Sequence, residues 1–199
     1  PSNAGTNTAS AAVSAAREAG TLAWGPMASF LVFRLLKEQP LAAEPQCAAR
    51  TQLWNLETRD WDPELLKLFG LPEGFLPEST RTVRDWGTFA VGDVAVPMKA
   101  VNGDQSAAVF AFGWPEGESA YVNIGTSAFM QRAVTTQPAY APRSLTGIIL
   151  DDGETTVYAL EGNVNGAGTA LEWLKTELGI EDAIERLPAW LEAAGEPPL

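Results

Sequence analysis

Three times along this chain a β-like segment runs directly into a glycine-containing turn. The three segments are residues 94–104, 121–127 and 156–168, and a helical pattern follows the first and the last of them. Strands that alternate with helices through short glycine turns build mixed α/β folds. The sequence therefore predicts the α/β class.

Other segments complete this pattern. Helices are predicted at 10–18, 22–36, 63–69 with Asp62 as N-cap, 105–112 as a buried helix, 165–178 ended by Gly179, and 183–194 bent at Pro188. A hairpin is predicted from 148 to 160 around a turn at 151–154, and the stretch 71–74 is predicted to be turn-rich. Residues 113–117 contain one proline and two glycines, so we expect a linker there that divides the chain into two parts.

Composition excludes several classes of function. The net charge is −12 and Lys and Arg form no cluster in the sequence, so we expect no nucleic-acid partner. No apolar run approaches a membrane span, so we expect no membrane partner either. The single cysteine, Cys47, cannot form an internal disulfide and predicts a reducing, cytoplasmic location. The chain has no histidine, so any acid–base chemistry must use carboxylates.

Asp104 is the first candidate for such chemistry. It follows a predicted strand and precedes a predicted helix, in Gly103-Asp104-Gln105. An aspartate at that place is most often a helix N-cap. The alternative is a carboxylate that accepts a proton from a substrate hydroxyl during phosphoryl transfer. The tripeptide alone leaves both interpretations open.

Two glycine-containing turns are candidates for binding phosphate. Gly125-Thr126-Ser127 offers backbone N–H groups and two hydroxyls, although it would also suit a simple β-turn. Residues 166–168, Gly-Ala-Gly, allow a close backbone approach at a helix start, either to a ligand or to a packed neighbour. The spacing matches neither a Walker A loop nor a dinucleotide-binding fingerprint.

The order and spacing of these motifs resemble the FGGY family of carbohydrate kinases. The resemblance extends upstream to residues 48–56, Ala-Ala-Arg-Thr-Gln-Leu-Trp-Asn-Leu, and downstream to Leu160-Glu-Gly and the helix with Trp173. It covers roughly residues 20–180. It implies an actin/hexokinase-like (ribonuclease H-like) two-domain kinase fold, present here only in part. Residues 1–113 would be the C-terminal part of the first domain and residues 114–199 the N-terminal part of the second.

The resemblance also implies a reaction, the ATP-dependent phosphorylation of a small sugar or polyol with Mg²⁺. By position, Asp104 would be the general base and Gln105 would lie near the substrate hydroxyls. The implied nucleotide contacts are Gly125, Thr126, Ser127, Gly168 and Glu172. Glu172 stands where glycerol kinase has glutamine, so a carboxylate replaces an amide there.

The family pattern has parts that this sequence does not contain, among them the Asp-Gly-Thr strand that binds phosphate. We therefore expect an internal fragment that is inactive alone. The rival interpretation is a non-catalytic ligand-binding or interaction module that keeps the kinase fold. Neither interpretation fixes the oligomeric state, so a homo-oligomer is left open.

Overall fold

The computed structural model of the chain describes residues 4–72 and 74–195. The predicted domain ends at 1–3 and 196–199, and Glu73 in the predicted turn at 71–74, lie outside the described residues. The helices are α1 (Ala4–Glu18), α2 (Met27–Leu35), α3 (Pro45–Ala49), α4 (Pro63–Leu68), α5 (Asp104–Ala108), α6 (Ala167–Leu178) and α7 (Ala183–Ala194). A 3₁₀ turn, Val109–Phe112, continues α5.

The strands form one larger sheet and three two-stranded pairs. They are β1 (Ala42–Ala43), β2 (Trp54–Asn55), β3 (Asp60–Trp61), β4 (Glu78–Ser79), β5 (Val83–Val91), β6 (Val94–Ala100), β7 (Ala120–Ile124), β8 (Ala128–Thr135), β9 (Leu145–Asp151) and β10 (Thr156–Val164). The larger sheet is antiparallel throughout, in the order β7-β8-β10-β9. The pairs are β1 with β4, β2 with β3, and the hairpin β5–β6.

The mixed α/β class is confirmed, and so are most of the local elements. The hairpin around 151–154 is β9–β10, in which Leu150 is opposite Val157. Helix α6 ends at Gly179, which has a φ of 65° and therefore the left-handed conformation that glycine tolerates. Helix α7 contains Pro188 as expected. Helix α2 starts later than predicted, at Met27, because Pro26 precedes it and has no N–H to donate.

The strands β5 and β8 were not anticipated. In β8 the polar Gln131 faces the interior beside Ala133, and the two side chains are only 5% and 0% exposed. A buried polar residue hides the apolar–polar alternation that would have indicated a strand. The prediction of a helix at 105–112 is confirmed, but its prediction as a buried helix is wrong. Ser106 and Val109 are buried, whereas Phe112 is 90% exposed where the 3₁₀ turn carries it outward.

The hydrophobic core lies between the two predicted parts of the chain. One cluster joins Ala43, Ala48 and Trp54 to Ile148 and Tyr158. A second cluster joins Val109 to Ala133, Ile149, Val157 and Ala159. A third is formed by residues before position 90 alone, Val32, Leu36, Ala42 and Trp86. Within the described residues, no helix is long and apolar enough to span a bilayer.

The start of α4 follows the sequence prediction closely. Asp62 Oδ1 accepts hydrogen bonds from the backbone N–H groups of Glu64 (2.9 Å) and Leu65 (3.1 Å). Asn55 Nδ2 donates to Asp62 Oδ2 at 2.9 Å. Pro63 takes the first helical position, where a missing N–H costs nothing.

Replacing Asp62 by alanine should lower the melting temperature by about 2–4 °C, the usual effect of a lost N-cap in a chain of this size. The Asn55 amide and the helix N–H groups lower the pKa of Asp62 from its ordinary value of 3.8. The stabilisation is therefore present at neutral pH and is lost as the pH falls through the lowered pKa. Thermal unfolding followed by circular dichroism at pH 7 and at pH 2 measures both. Glu57→Ala, at an exposed position in the preceding turn, is the control. An equal loss in both variants would contradict the capping role.

Candidate functional site

Asp104 lies exposed at the start of α5. Gly103 occupies the N-cap, so Asp104 is the first residue of the helix and not its cap. From that first position, its Oδ1 accepts from the N–H of the next helical residue, Gln105, at 2.8 Å. The interpretation of Asp104 as the helix cap is therefore wrong. Among the described residues nothing donates to Oδ2, so this oxygen is open to a ligand.

The loop before Asp104 is fixed from two sides. Asn102 Nδ2 donates to the carbonyl of Ile149 in β9 at 2.9 Å, and Asn102 Oδ1 accepts from Gly103 N–H at 2.9 Å. Gly103 packs directly on the side chain of Gln46, and a Cβ at position 103 would overlap the Gln46 amide. Any larger residue at position 103 would therefore require the Gln46 side chain to move. Asp104 thus stands on a short, well-fixed segment.

Gln105, unlike Asp104, lines a cavity of about 620 Å³. One wall is made by α5 and the 3₁₀ turn, and the other wall by β7 and β8. Besides Gln105, the lining side chains include Phe112, Trp114, Asn123, Phe129 and Gln131. The cavity therefore joins the Gly103-Asp104-Gln105 segment to the strand that leads into Gly125. We call it the Gln105 cavity.

The other walls of this cavity were not predicted from the sequence. Asn123 lies two residues before Gly125, and this position next to the predicted phosphate turn could have indicated that it lines the site. Trp114 lies in the segment predicted to be a linker, and its ring packs edge-on against Phe110 with 5.8 Å between ring centroids. No local pattern in the sequence indicated that contact.

The turn at Gly125-Thr126-Ser127 lies directly against the start of α6. Gly168 N–H donates to the carbonyls of Gly125 (2.9 Å) and Thr126 (3.0 Å), and Thr169 N–H donates to Thr126 at 3.3 Å. A Cβ at position 168 would overlap the Gly125 carbonyl oxygen. The close-packing interpretation of this glycine therefore holds. The predicted nucleotide contacts at Gly125, Thr126 and Gly168 also lie together.

This packing decides which donors remain for a ligand. Two N-terminal N–H groups of α6 are already bonded to the turn, so they are not free to bind phosphate. Within the described residues, the N–H groups and hydroxyls of Thr126 and Ser127 have no acceptor. Four donors at one exposed turn suit the oxygens of a phosphate group. Glu172 lies one helical turn beyond Gly168 on the same face of α6, and it is exposed.

A buried polar network links the two predicted parts of the chain. Arg50, which follows α3, forms a bidentate ion pair with Glu161 in β10, with 2.7 Å between Arg50 Nη1 and Glu161 Oε1. Gln131 Nε2 donates to Glu161 Oε2 at 3.1 Å. Glu161 is only 6% exposed, and its hydrogen bonds raise the pKa of Arg50. Both charged residues stand in motifs that carry the family resemblance, yet no local pattern indicated that they pair.

Cys47 and Glu44 have structural roles. Burial, together with the neighbouring Glu44 carboxylate, raises the pKa of the Cys47 thiol far above its ordinary value, so it is not a reactive thiolate. Glu44 caps α3 by accepting from the N–H groups of Gln46 and Cys47, while burial raises its own pKa. Among residues 4–72 and 74–195, no three His, Cys, Asp or Glu side chains are placed to hold a metal ion.

Comparison with known proteins decides the family. Residues 10–111 match the model of the N-terminal domain of the FGGY family of carbohydrate kinases. The chain belongs to the FGGY family. The glycerol kinase of Alkalilimnicola ehrlichii is 37% identical over 176 residues, which are 85% of this chain and 36% of that protein. The glycerol kinase of Halothermothrix orenii is 36% identical over 175 residues, covering 83% and 34% of the two chains.

Solved structures of sugar kinases show the same fold. The xylulose kinase of Rhodospirillum rubrum superposes with a TM-score of 0.68 at 20% identity, over 85% of this chain and 35% of that one. The gluconate kinase of Lactobacillus acidophilus gives a TM-score of 0.59 at 24% identity, over 75% and 31%. The predicted actin/hexokinase-like fold is confirmed. This FGGY chain spans about a third of the length of the curated relatives it matches.

Proposed function

We propose that the protein carrying this chain transfers the γ-phosphoryl group of ATP to a hydroxyl of a small sugar or polyol. The observation that carries the proposal is the Gln105 cavity, in which the segment of the proposed base and the strand leading into the proposed phosphate turn share one space. Membership of the FGGY family supports the reaction class.

Asp104 is the proposed general base. Its Oδ1 is held by the Gln105 N–H, which orients the carboxylate, and its Oδ2 is open to accept the proton of a substrate hydroxyl. Gln105 is the proposed substrate contact, because its amide lines the cavity and can both donate to and accept from a hydroxyl. An aromatic wall from Phe129 would face the carbon skeleton of the acceptor.

The turn at Gly125, Thr126 and Ser127 is the proposed phosphate site. Its open N–H groups and hydroxyls would bind phosphate oxygens, and Gly168 would keep the start of α6 close behind the turn. When bound, ATP supplies the phosphoryl group and Mg²⁺ neutralises charge on the phosphates. Among the described residues, no three acidic, histidine or cysteine side chains lie together to hold the metal, and no role assigned to this chain depends on it. Glu172 would accept a hydrogen bond from a hydroxyl or amino group of the nucleoside, since a carboxylate has no proton to donate.

The division into residues 1–113 and 114–199 stays a prediction, as does the cytoplasmic location. We propose that these parts belong to two kinase domains that close over the substrate and exclude water. Since the chain spans about a third of its curated relatives, we also propose that it is inactive without the remaining kinase segments.

The test is a coupled assay of Mg²⁺-dependent ATP turnover with a panel of polyols and ketoses. It compares a protein of the full length of the relatives that carries this sequence with the 199-residue chain alone. We expect turnover that depends on one acceptor in the longer protein and only background turnover in the shorter. Robust turnover by the shorter chain would contradict the proposed inactivity.

The second candidate is a non-catalytic module that keeps the fold. Glu172 favours it, because a carboxylate one turn from the phosphate turn repels an anionic nucleotide. Absence of turnover with every acceptor in the longer protein, together with saturable binding of a sugar, would establish this alternative.

A further inference from the structure

We propose that the protein binds an oxyanion of the phosphate class in a cavity lined by Arg59, Arg81 and Arg84. The cavity has a volume of about 500 Å³ and lies between β4, the start of β5 and the β9–β10 turn. It shares no lining residue with the Gln105 cavity. Three of the 13 basic residues meet there, in a chain whose net charge is −12. The cavity is thus rich in positive charge although the chain as a whole is negative, and this favours an anionic ligand.

Two of the arginines are held by mostly weak or neutral partners. Arg59 Nη1 lies 3.5 Å from Asp151 Oδ2 and 3.2 Å from the hydroxyl of Thr156. Arg84 bonds the hydroxyl of Thr80 and lies over the ring of Trp86, 5.4 Å from its centroid. These contacts orient both guanidinium groups and leave further N–H donors available.

Arg81 is the strongest indication of a ligand. It is exposed, and its guanidinium makes no hydrogen bond or ion pair within the described residues. The guanidinium lies directly against Gly153, where a Cβ would overlap it. Gly153 also has a φ of 93°, which favours glycine at this position. The turn thus leaves room for an arginine head group that no described residue binds directly.

The carboxylates that line the same cavity do not cancel the arginines. Asp151 is 5% exposed and already accepts from Gly153 N–H (2.8 Å) and Arg59. Glu78 is the second lining carboxylate and is exposed. Among the lining residues, three positive charges against two negative charges leave one excess positive charge. Asp152 lies just outside the lining, where backbone N–H groups and the charge of Arg81 lower its pKa.

The donors favour an oxyanion over other anions. The planar fork of a guanidinium matches two oxygens of one phosphate group, and the hydroxyls of Thr58, Ser79 and Thr80 also line the cavity. Inorganic phosphate and a phosphate monoester present the same oxygens. The site would therefore take either of them, with affinity differing through the organic group.

Calorimetric titration with inorganic phosphate, at an ionic strength held constant with chloride, tests this site. We expect saturable binding that Arg81→Gln weakens about tenfold, since a charge-assisted bidentate contact is lost. Arg17→Gln, which removes the same charge from the exposed face of α1, should change the affinity by less than about twofold. Glu78→Gln should strengthen binding, because a repelling carboxylate is removed. Circular dichroism shows that each variant is folded, as expected for exposed positions.

Absence of saturable binding would overturn the proposal. Equal weakening by Arg81→Gln and Arg17→Gln would also overturn it, because it would show that phosphate responds only to the net charge of the protein. Phosphate bound at the Gly125 turn alone would be insensitive to Arg81→Gln, which also overturns it. A parallel titration with glycerol 3-phosphate distinguishes the source. Tighter binding of the monoester assigns an organic phosphate, and equal or weaker binding assigns inorganic phosphate. The proposal does not depend on kinase activity.

Discussion

Replacing Asp104 by asparagine is expected to lower the rate of acceptor-dependent ATP turnover about a thousandfold in a full-length protein that carries this chain. The amide keeps the size of the side chain and its oxygen can still accept from Gln105 N–H, but it cannot take a proton. Positioned general bases contribute about 10²–10⁴-fold to such rates. Affinity for ATP should stay nearly unchanged, because the turn at Gly125 is untouched. Steady-state kinetics with ATP and with the preferred acceptor measure both quantities.

The control for this variant is Asp93→Asn. Asp93 is exposed in the turn of the β5–β6 hairpin and lines none of the cavities described above. It loses the same charge, so a general electrostatic effect would appear in both variants. Turnover by Asp104→Asn within a few-fold of the unmodified protein would remove Asp104 from the chemistry.

The second large effect is expected from Gly168→Ala. The new Cβ would overlap the carbonyl oxygen of Gly125 and lie 3.1 Å from the carbonyl carbon, and backbone atoms cannot rotate away as a flexible side chain can. The start of α6 must therefore move away from the turn. We expect the free energy of unfolding to fall by about 1–3 kcal/mol, as for other overpacked sites. The KM for ATP should rise about tenfold or more, because the open donors of Thr126 and Ser127 are displaced.

Gly162→Ala is the matched control, because a Cβ at position 162 would have no heavy atom within 4 Å. Urea unfolding and ATP kinetics on both variants give the comparison. If neither variant changes the stability or the KM, the close contact between Gly168 and Gly125 contributes to neither folding nor ATP binding. A loss of stability with an unchanged KM would keep the packing role and remove the proposed phosphate role.

Features encoded within a few residues could be predicted from the sequence. Asp62 and Pro63 together predicted the start of α4, because capping involves groups two and three positions away. Gly179 marked the end of α6, and Gly153 marked the turn between β9 and β10. The exception was Asp104, where the most frequent local interpretation was wrong. Gly103 took the capping position, so Asp104 became the first helical residue and bonds only the neighbouring Gln105 N–H.

Contacts across long stretches of sequence could not be predicted. Arg50 and Glu161 are 111 positions apart, and neither residue has a neighbour that indicates the other. The same holds for Asn102 and the carbonyl of Ile149, which fix the segment of Asp104. Strand β8 was not predicted because Gln131 is polar but buried, where it bonds Glu161, so the usual alternation of apolar and polar residues is lost. Such pairs become visible only when strands and helices from both parts of the chain are packed.

The two shared hydrophobic clusters set a limit on building chimaeras from this family. Ile148 and Tyr158 fill the space around Trp54, and Val109 fills the space around Val157. Residues 113–117 would be the obvious crossover point, because their proline and glycines predict a linker. Exchanging everything after it for the corresponding part of a relative would nevertheless replace two of the five buried residues in the first cluster and four of the five in the second. A successful hybrid would have to carry β1, α3, β2 and the 3₁₀ turn along with the sheet against which their buried residues pack.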